Sequence, residues 1–267
     1  MGSLIRTGAL VFTALVIAPG VRAQEDAEQT LRTLREEVRQ NPDRLELRVA
    51  MGNAAVGAGQ YELAVEAFRG ALTAVEGDAA ASGDLHLRLG ETYRRKGELA
   101  PAAAELSRAR ELLPSNPAVA GTLALVLDQA GKFGEAEHAY RTALKLDPEN
   151  TITMNNLAFL LAMHTDRLDE ALTLAQHCHE AARDSSDFSD TLATVYEKLG
   201  NLTAAQAILF DLVERDPGDD SLRTHLATVL ERRASTVPEE QTLLQALKAP
   251  NSEQNQKQTV DLVRRVR

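Results

Sequence analysis

Apolar residues recur along this chain with helical spacing, in short segments that end at glycine or proline. Residues 117–150 show the pattern clearly. Their apolar positions predict one helix up to Ala130 and a second helix from about Gly134. Gly131 marks the turn, because glycine adopts the left-handed conformation that ends a helix, and Pro148 cannot continue the second helix. The segment is therefore predicted to form a hairpin of two helices.

This hairpin recurs along the chain. Leu89, Gly97, Ala102, Ala109 and Pro114 each have a counterpart 34 residues later, at Leu123, Gly131, Ala136, Ala143 and Pro148. The copies span residues 45–82, 83–116, 117–150, 151–185 and 186–219, and a degenerate sixth copy begins at Asp220. One hairpin cannot cover its own apolar faces, so successive copies must stack on one another. Aromatic residues make up only 4% of the chain and alanine is abundant, which favours closely packed helices and an all-α fold.

Residues 45–250 resemble the tetratricopeptide repeat, most clearly in "LRLGETYRRKGELAPAAAELSRARELLP" and "DTLATVYEKLGNLTAAQAILFDLVERDP". The fourth copy departs from the pattern because "HTDR" stands where the turn glycine belongs, and the fifth has Leu212 where its neighbours have alanine. The resemblance implies a right-handed α-solenoid whose first helices line a concave groove. It also implies a non-catalytic scaffold that binds an extended peptide or a partner's helix.

Groove positions follow from the first helix of each copy. In the second copy Leu89 and Tyr93 face the partner helix of the same hairpin. The opposite side of the helix faces the groove and carries four residues, from Leu87 to Arg95, whose successive spacings are four, three and one. Applying the same positions to the other copies gives the candidate partner-binding residues: Leu87, Glu91, Arg94, Arg95, Leu125, Asp128, Asn155, Phe159, Met163, Asp190 and Glu197.

These residues suggest a groove with an apolar centre at Leu125, Phe159 and Met163, a basic pair at Arg94 and Arg95, and acids further on. In the functional interpretation Asn155 binds peptide backbone amides, apolar ligand side chains cover Phe159, and a charged ligand end meets the arginines. In the alternative, Phe159 is a core residue and the arginines form solvated pairs with Glu91 or Asp128. Val49 and Leu87 stand where a clamp for C-terminal carboxylates would need cations, which disfavours that ligand class.

The two ends of the chain are expected to differ from the repeats. "MGSLIRTGALVFTALVIAPGVRAQ" has the parts of a secretory signal peptide, with cleavage after Ala23 and a periplasmic or secreted product. Its apolar run is about half of the roughly 20 residues that span a bilayer. Residues 24–44 are predicted to form a capping helix, and residues 251–267 a mobile basic tail. An alternative role is a structural spacer or assembly subunit of an envelope complex that acts through its outer face and this C-terminal tail.

Charge and motifs narrow the function classes. Asp and Glu number 39 against 29 Lys and Arg, and this acidic balance disfavours nucleic acid as a partner. The sequence has no phosphate loop, nucleophile elbow or H-E-x-x-H motif, so neither an enzyme nor a cofactor is expected. His177, Cys178 and His179 fan out over about 200° of a helix and cannot converge on one ion. At most one of them could join His164, and such a weak two-ligand site leaves a metal-binding protein as a remote alternative. Cys178 aligns with Ala143, Ala109 and Ala71 and is predicted to fill a small buried slot.

Overall fold

The computed structural model describes residues 19–234 and 237–267, and within these ranges the chain is a series of helix pairs. A leading helix, α1, spans Pro19–Gln40. The pairs are α2 (Leu45–Gly57) with α3 (Tyr61–Leu72), α4 (Ala79–Lys96) with α5 (Leu99–Leu112), α6 (Pro117–Gln129) with α7 (Phe133–Leu146), α8 (Thr151–His164) with α9 (Leu168–Ala181), α10 (Ser186–Lys198) with α11 (Leu202–Arg215), and α12 (Asp220–Arg233) with α13 (Pro238–Lys248). A short 3-10 turn, Thr73–Val75, follows α3, and α14 spans Glu253–Val266.

The ends of these helices are fixed by the residues that the sequence pattern singles out. Asn116 precedes Pro117 and accepts a hydrogen bond from the backbone N–H of Ala118 at 2.9 Å, which caps α6. Gly131 follows α6 with a φ of 74°, a conformation that a Cβ would strain. The expected glycine turn is therefore confirmed in this copy.

The fourth copy reaches the same turn without glycine. The backbone of Thr165 at the end of α8 is extended, with φ −141° and ψ 171°. Its hydroxyl donates a 2.8 Å hydrogen bond to the carbonyl of Leu161 and accepts a 3.1 Å bond from the N–H of Arg167. The side chain thus satisfies backbone groups on both sides of the turn.

Stacking of the pairs produces an inner and an outer layer. The first helices of successive copies touch directly, α4 with α6, α6 with α8 and α8 with α10, while each second helix packs against the first helix of the next copy. The layer of first helices therefore forms the inner face of an all-α repeat solenoid, which confirms the predicted fold class. In the part of the chain that the structure describes, no helix is both long enough and apolar enough to cross a membrane.

Small residues let the two layers approach. Ala71, Ala109 and Ala143 are each at most 2% exposed, and Cys178 at the equivalent position is 0% exposed. Leu212, the larger residue of the fifth copy, is accommodated in the same way at 1% exposure. The core runs from Leu31 in α1 to Val263 in α14, in two clusters that share contacts with Tyr196 and Ile208.

The C-terminal residues differ from the expected mobile tail. Residues 253–266 form α14, which packs on α11 and α13 and buries Leu262 and Val263. The fully buried guanidinium of Arg223 donates to the carbonyl oxygens of Ala246, Leu247 and Ala249 and to the hydroxyl of Thr259 on α14. Buried apolar area and these shared hydrogen bonds hold the segment, and its polar sequence concealed both. Residues 1–18, which contain most of the expected signal peptide, lie outside the described residues.

Candidate functional site

An exposed apolar stripe runs along the inner side of α8. Ile152, Phe159 and Met163 are 67%, 41% and 39% exposed, and their spacing of seven and four residues places them on one helix face. Leu125 on the neighbouring α6 is half-buried. Phe159 is therefore a surface residue, and the alternative that assigns it to the core is wrong. We call Ile152, Phe159 and Met163 the α8 stripe.

Asn155 lies on the same face of α8 but beneath this stripe. Only 8% of the residue is exposed, and its Oδ1 atom has no hydrogen-bond partner in the described part of the chain. A buried, unpaired amide oxygen costs about 1–3 kcal/mol. A ligand N–H could recover this energy only if the carboxamide turned toward the groove, so Asn155 is less accessible than the sequence suggests.

The basic pair on α4 is already engaged by Glu91. Arg94 donates two hydrogen bonds to Glu91, at 2.7 and 2.8 Å, and Arg95 donates one from Nε at 2.8 Å. Burial raises the pKa of the Glu91 carboxyl, but the bonds from Arg94 and then Arg95 outweigh it and leave that pKa below its usual value. The pairing that the alternative expects with Glu91 is thus present.

Asp128 pairs with a tyrosine. The hydroxyl of Tyr140 lies 3.4 Å from the Asp128 carboxylate, and burial raises the pKa of Asp128 above its ordinary value. Burial, followed by the charge and hydrogen bond of Asp128, also raises the pKa of Tyr140. His164 stacks on Phe133 of α7, with ring centroids 3.4 Å apart, and its charge partly offsets the effect of burial on Asp128.

The acids of α10 are bound by residues of α12. His225 places Nδ1 2.7 Å from Asp190 and Nε2 3.0 Å from Glu197, and Arg232 also contacts Glu197. We call His225, Asp190, Glu197 and Arg232 the histidine clamp. Alignment of the copies did not identify His225 or Arg232 as partners of the groove acids. The signal was present, because His225 lies 35 residues after Asp190, which is about one repeat length.

The histidine and cysteine residues of α9 point to separate surroundings. His177 is exposed, whereas Cys178 is buried and its thiol donates to the carbonyl of Thr151 at 3.3 Å. His179 is bound to the hydroxyl of Ser189 at 3.0 Å. Burial raises the pKa of the Cys178 thiol to about 11. Cys178 therefore occupies a packing position, as its alignment with alanine predicts.

A cavity of about 360 Å³ opens on the inner side of the first three copies. Val56, Phe68 and Leu87 supply apolar walls, and Asn53 and Arg88 stand among the polar ones. Leu87 was predicted to face the groove, but no sequence pattern indicated that it borders a cavity. The contribution of α2 was missed because its groove positions are small or uncharged.

Comparisons with known proteins agree with this geometry. The family model described as "Tetratricopeptide repeat" matches residues 17–79, 49–117 and 122–185, which together are more than half of the chain. Cellulose synthase operon protein C of Xanthomonas axonopodis pv. citri (strain 306) is 32% identical over 155 residues. That match covers 55% of this chain and 10% of the relative, so the chain spans about a tenth of the relative's length.

Solved structures show the same fold at low identity. A tetratricopeptide repeat protein from Parabacteroides merdae ATCC 43184 is 17% identical, has a TM-score of 0.61, and the match covers 82% of this chain and 98% of that one. YrrB, described as a TPR protein with an unusual peptide-binding site, is 19% identical with a TM-score of 0.56. The match to YrrB covers 76% of this chain and 98% of that one.

Proposed function

The chain belongs to the tetratricopeptide repeat family, and we propose that it is a non-catalytic scaffold of the bacterial cell envelope that binds a peptide or a partner helix in its inner groove. Members of the family are generally protein-interaction scaffolds. The observation that carries the proposal is the α8 stripe, where three large apolar side chains are exposed on the inner layer. Contiguous apolar surface of this kind is a common mark of a protein-binding site.

The groove acids and arginines contribute less than the sequence suggests. Arg94 and Arg95 share Glu91, and Asp190 and Glu197 share His225, so these groups are largely compensated within the chain. Binding in this proposal is driven mainly by burial of apolar surface, with about 25 cal/mol gained per Å² removed from water. YrrB, whose description names a peptide-binding site, is consistent with this use of the fold.

The envelope location rests on the N-terminal pattern and is a separate part of the proposal. The charged, apolar and small-residue regions of residues 1–23 are typical of an exported protein. A relative named for a cellulose synthase operon is consistent with an envelope role. Leu31, the buried core residue of α1, lies after the predicted cleavage site and would remain in the processed chain. N-terminal sequencing of the protein from its host should give Gln24 as the first residue, and an intact N-terminus would contradict export by this route.

The groove is tested by crosslinking in the host with a tagged chain. Phe159→Ser combined with Met163→Ser should reduce the crosslinked partner at least fivefold, because it removes two of the three exposed apolar side chains of α8. Leu146→Ser is the matched control, since Leu146 is 38% exposed but lies on the second helix of its pair. Circular dichroism checks that each variant is folded. Equal partner recovery with the double variant and the control would contradict groove binding.

The alternative role as a structural spacer or assembly subunit was expected to act through the outer face and the C-terminal tail, and the structure bears on the tail alone. Residues 253–266 are packed against α11 and α13, so no free basic segment is available in that region for a partner.

A further inference from the structure

The cavity beside α4 differs in shape and in charge from the α8 stripe. It is bordered by α2, α4 and α6, the first helices of three consecutive pairs, with Phe68 of α3 behind them, and therefore opens toward the groove. Its volume of about 360 Å³ lies at the lower end of the range of about 300–1,000 Å³ that is usual for ligand pockets. The apolar walls at Val56, Phe68 and Leu87 suit a large apolar group better than a polar one.

The charged residues that line this cavity are Asp84, Arg88 and Glu91, and two further arginines, Arg94 and Arg95, bind Glu91 from outside the lining. Arg88 is held by Asp84 at 2.7 Å and by the side-chain oxygen of Asn53 at 2.8 Å. Glu91, which also lines the cavity, neutralises one of the two guanidiniums that it binds. Asp84 and Glu91 thus bind three guanidinium groups between them, those of Arg88, Arg94 and Arg95.

Arg95 is the cation that remains available. It is 49% exposed and uses only Nε in its bond to Glu91. Within the described residues its two terminal nitrogens have no hydrogen-bond acceptor. Arg94, in contrast, is 20% exposed and spends two donors on the same carboxylate. Arg95 does not line the cavity but is bound to Glu91, which does, so a ligand carboxylate beside Glu91 could form a two-bond pair with the terminal nitrogens of Arg95.

We propose that this cavity binds a large apolar side chain of a partner peptide and that Arg95 pairs with an acidic group beside it. The proposal rests on the groove-binding function above and adds the chemistry of the ligand at this end of the groove. The partner segment is then apolar and acidic here, and apolar alone where it covers the α8 stripe.

Two dyes test the cavity in the purified full chain. The anion 8-anilinonaphthalene-1-sulfonate and its neutral analogue N-phenyl-1-naphthylamine share the same aromatic body and differ in the sulfonate. Fluorescence titration should show that Leu87→Gln weakens both dyes at least tenfold. Arg95→Gln should weaken only the anionic dye, about fivefold, and Arg95→Lys should restore most of that loss. Arg265→Gln, which removes one exposed positive charge on α14, is the control and should change neither affinity.

A second variant tests the cavity independently, in case the Leu87→Gln chain does not fold. Asn53 is exposed at the cavity rim, so Asn53→Trp should fill the space and exclude both dyes. The chain contains no other tryptophan, so the emission of this residue reports directly whether it is buried. Unchanged affinity for both dyes in Asn53→Trp and Leu87→Gln would overturn the proposal, as would equal losses of the two dyes in Arg95→Gln.

These outcomes are separable from failure of the groove-binding function. The dye affinities depend on the cavity, whereas crosslinking with the Phe159 and Met163 variants depends on the α8 stripe. A partner that crosslinks equally well to the wild-type chain and to Asn53→Trp would overturn the cavity as its anchor and leave the α8 stripe as its site. Loss of the partner in both sets of variants, with the dye pattern above, supports both proposals.

Discussion

The histidine clamp predicts that the stability of the C-terminal repeats depends on pH. His225 is 16% exposed and has a carboxylate at hydrogen-bond distance from each ring nitrogen. A neutral imidazole has only one N–H, so both bonds can form only when the ring is protonated. Burial lowers the pKa of His225, but the hydrogen bonds and charges of Asp190 and Glu197 outweigh it and raise that pKa above 6.5. The folded chain therefore holds the proton more tightly than the unfolded chain.

The sign of the pH effect follows from this difference. A group whose pKa is raised on folding stabilises the folded state fully below its unfolded value, here about 6.5. The contribution then falls as the pH rises through the pKa of the folded state. Each hydrogen bond to a charged group is worth about 1.5–3 kcal/mol. Because Asp190 is 36% exposed and its bond is weakened by solvent, we expect His225→Gln to cost about 2 kcal/mol at pH 6.

Urea unfolding followed by circular dichroism at pH 6 and pH 9 measures this loss. The difference between the wild-type chain and His225→Gln should be about 2 kcal/mol at pH 6 and clearly smaller at pH 9. Since each copy contacts only its neighbours, the loss should appear as earlier unfolding of the last repeats. His138→Gln is the control, because His138 is exposed on α7. A difference that stays constant or grows from pH 6 to pH 9 would refute the assignment of a protonated His225.

Three further predictions concern the packing slot, a strained turn and the last helix. Cys178 should react with a thiol reagent at pH 8 at least a hundredfold more slowly in the folded chain than in urea, because it is buried and a thiol with a pKa of about 11 is only about one thousandth ionised; rapid modification of the folded chain would contradict its packing role. Ala234→Gly should raise the free energy of unfolding by about 1 kcal/mol, because Ala234 has a φ of 48°, whereas the control Ala130→Gly, at φ −81°, should lower it. If urea unfolding shows that both variants change the free energy of unfolding in the same direction, Ala234 is not under backbone strain. Deleting residues 251–267 should cost about 4 kcal/mol from the lost burial of Leu262 and Val263 alone, and an unchanged urea midpoint would mean that α14 does not stabilise the chain.

Much of the fold could be predicted because each copy carries its own local signals. Gly131 and Pro148 mark the limits of a hairpin without reference to the rest of the chain, and the structure ends its helices there. The packing of residues 253–266 as helix α14 could not be predicted from local signals. Its polar sequence conceals two buried apolar residues and the buried Asn255, which donates to carbonyl groups after α12 that Arg223 also binds. Arg223 in turn donates to Thr259 of α14, 36 residues later. Local composition predicts a solvated tail, whereas the contacts that fix it are distant in sequence.

The candidate groove remains a prediction, and the structure shows that several of its charges are paired within the chain, which the sequence did not indicate. Assigning residues to the groove one copy at a time treats each charge as free to meet a ligand. Stacking instead brings residues about one repeat apart into contact, as in the pairs of Asn53 with Arg88 and Asp190 with His225, both 35 residues apart. The polar groups in such pairs bind one another and are less available to a ligand.

What remains for a partner is therefore the set of groups that have no counterpart one repeat away. Phe159 and Met163 on α8 are apolar and exposed, and Arg95 exceeds the capacity of Glu91. Comparing each groove position with the residue one repeat later would have shown, from the sequence alone, that Asp190 and Glu197 have cationic counterparts in the next copy. Arg95 has no acidic counterpart of this kind. If the proposed groove function holds, we expect the N-terminal and central copies to recognise the partner, and the groove charges of the fifth and sixth copies mainly to stabilise the solenoid. Asp190→Asn should consequently reduce stability and leave partner crosslinking unchanged, and the reverse result would contradict this division of roles.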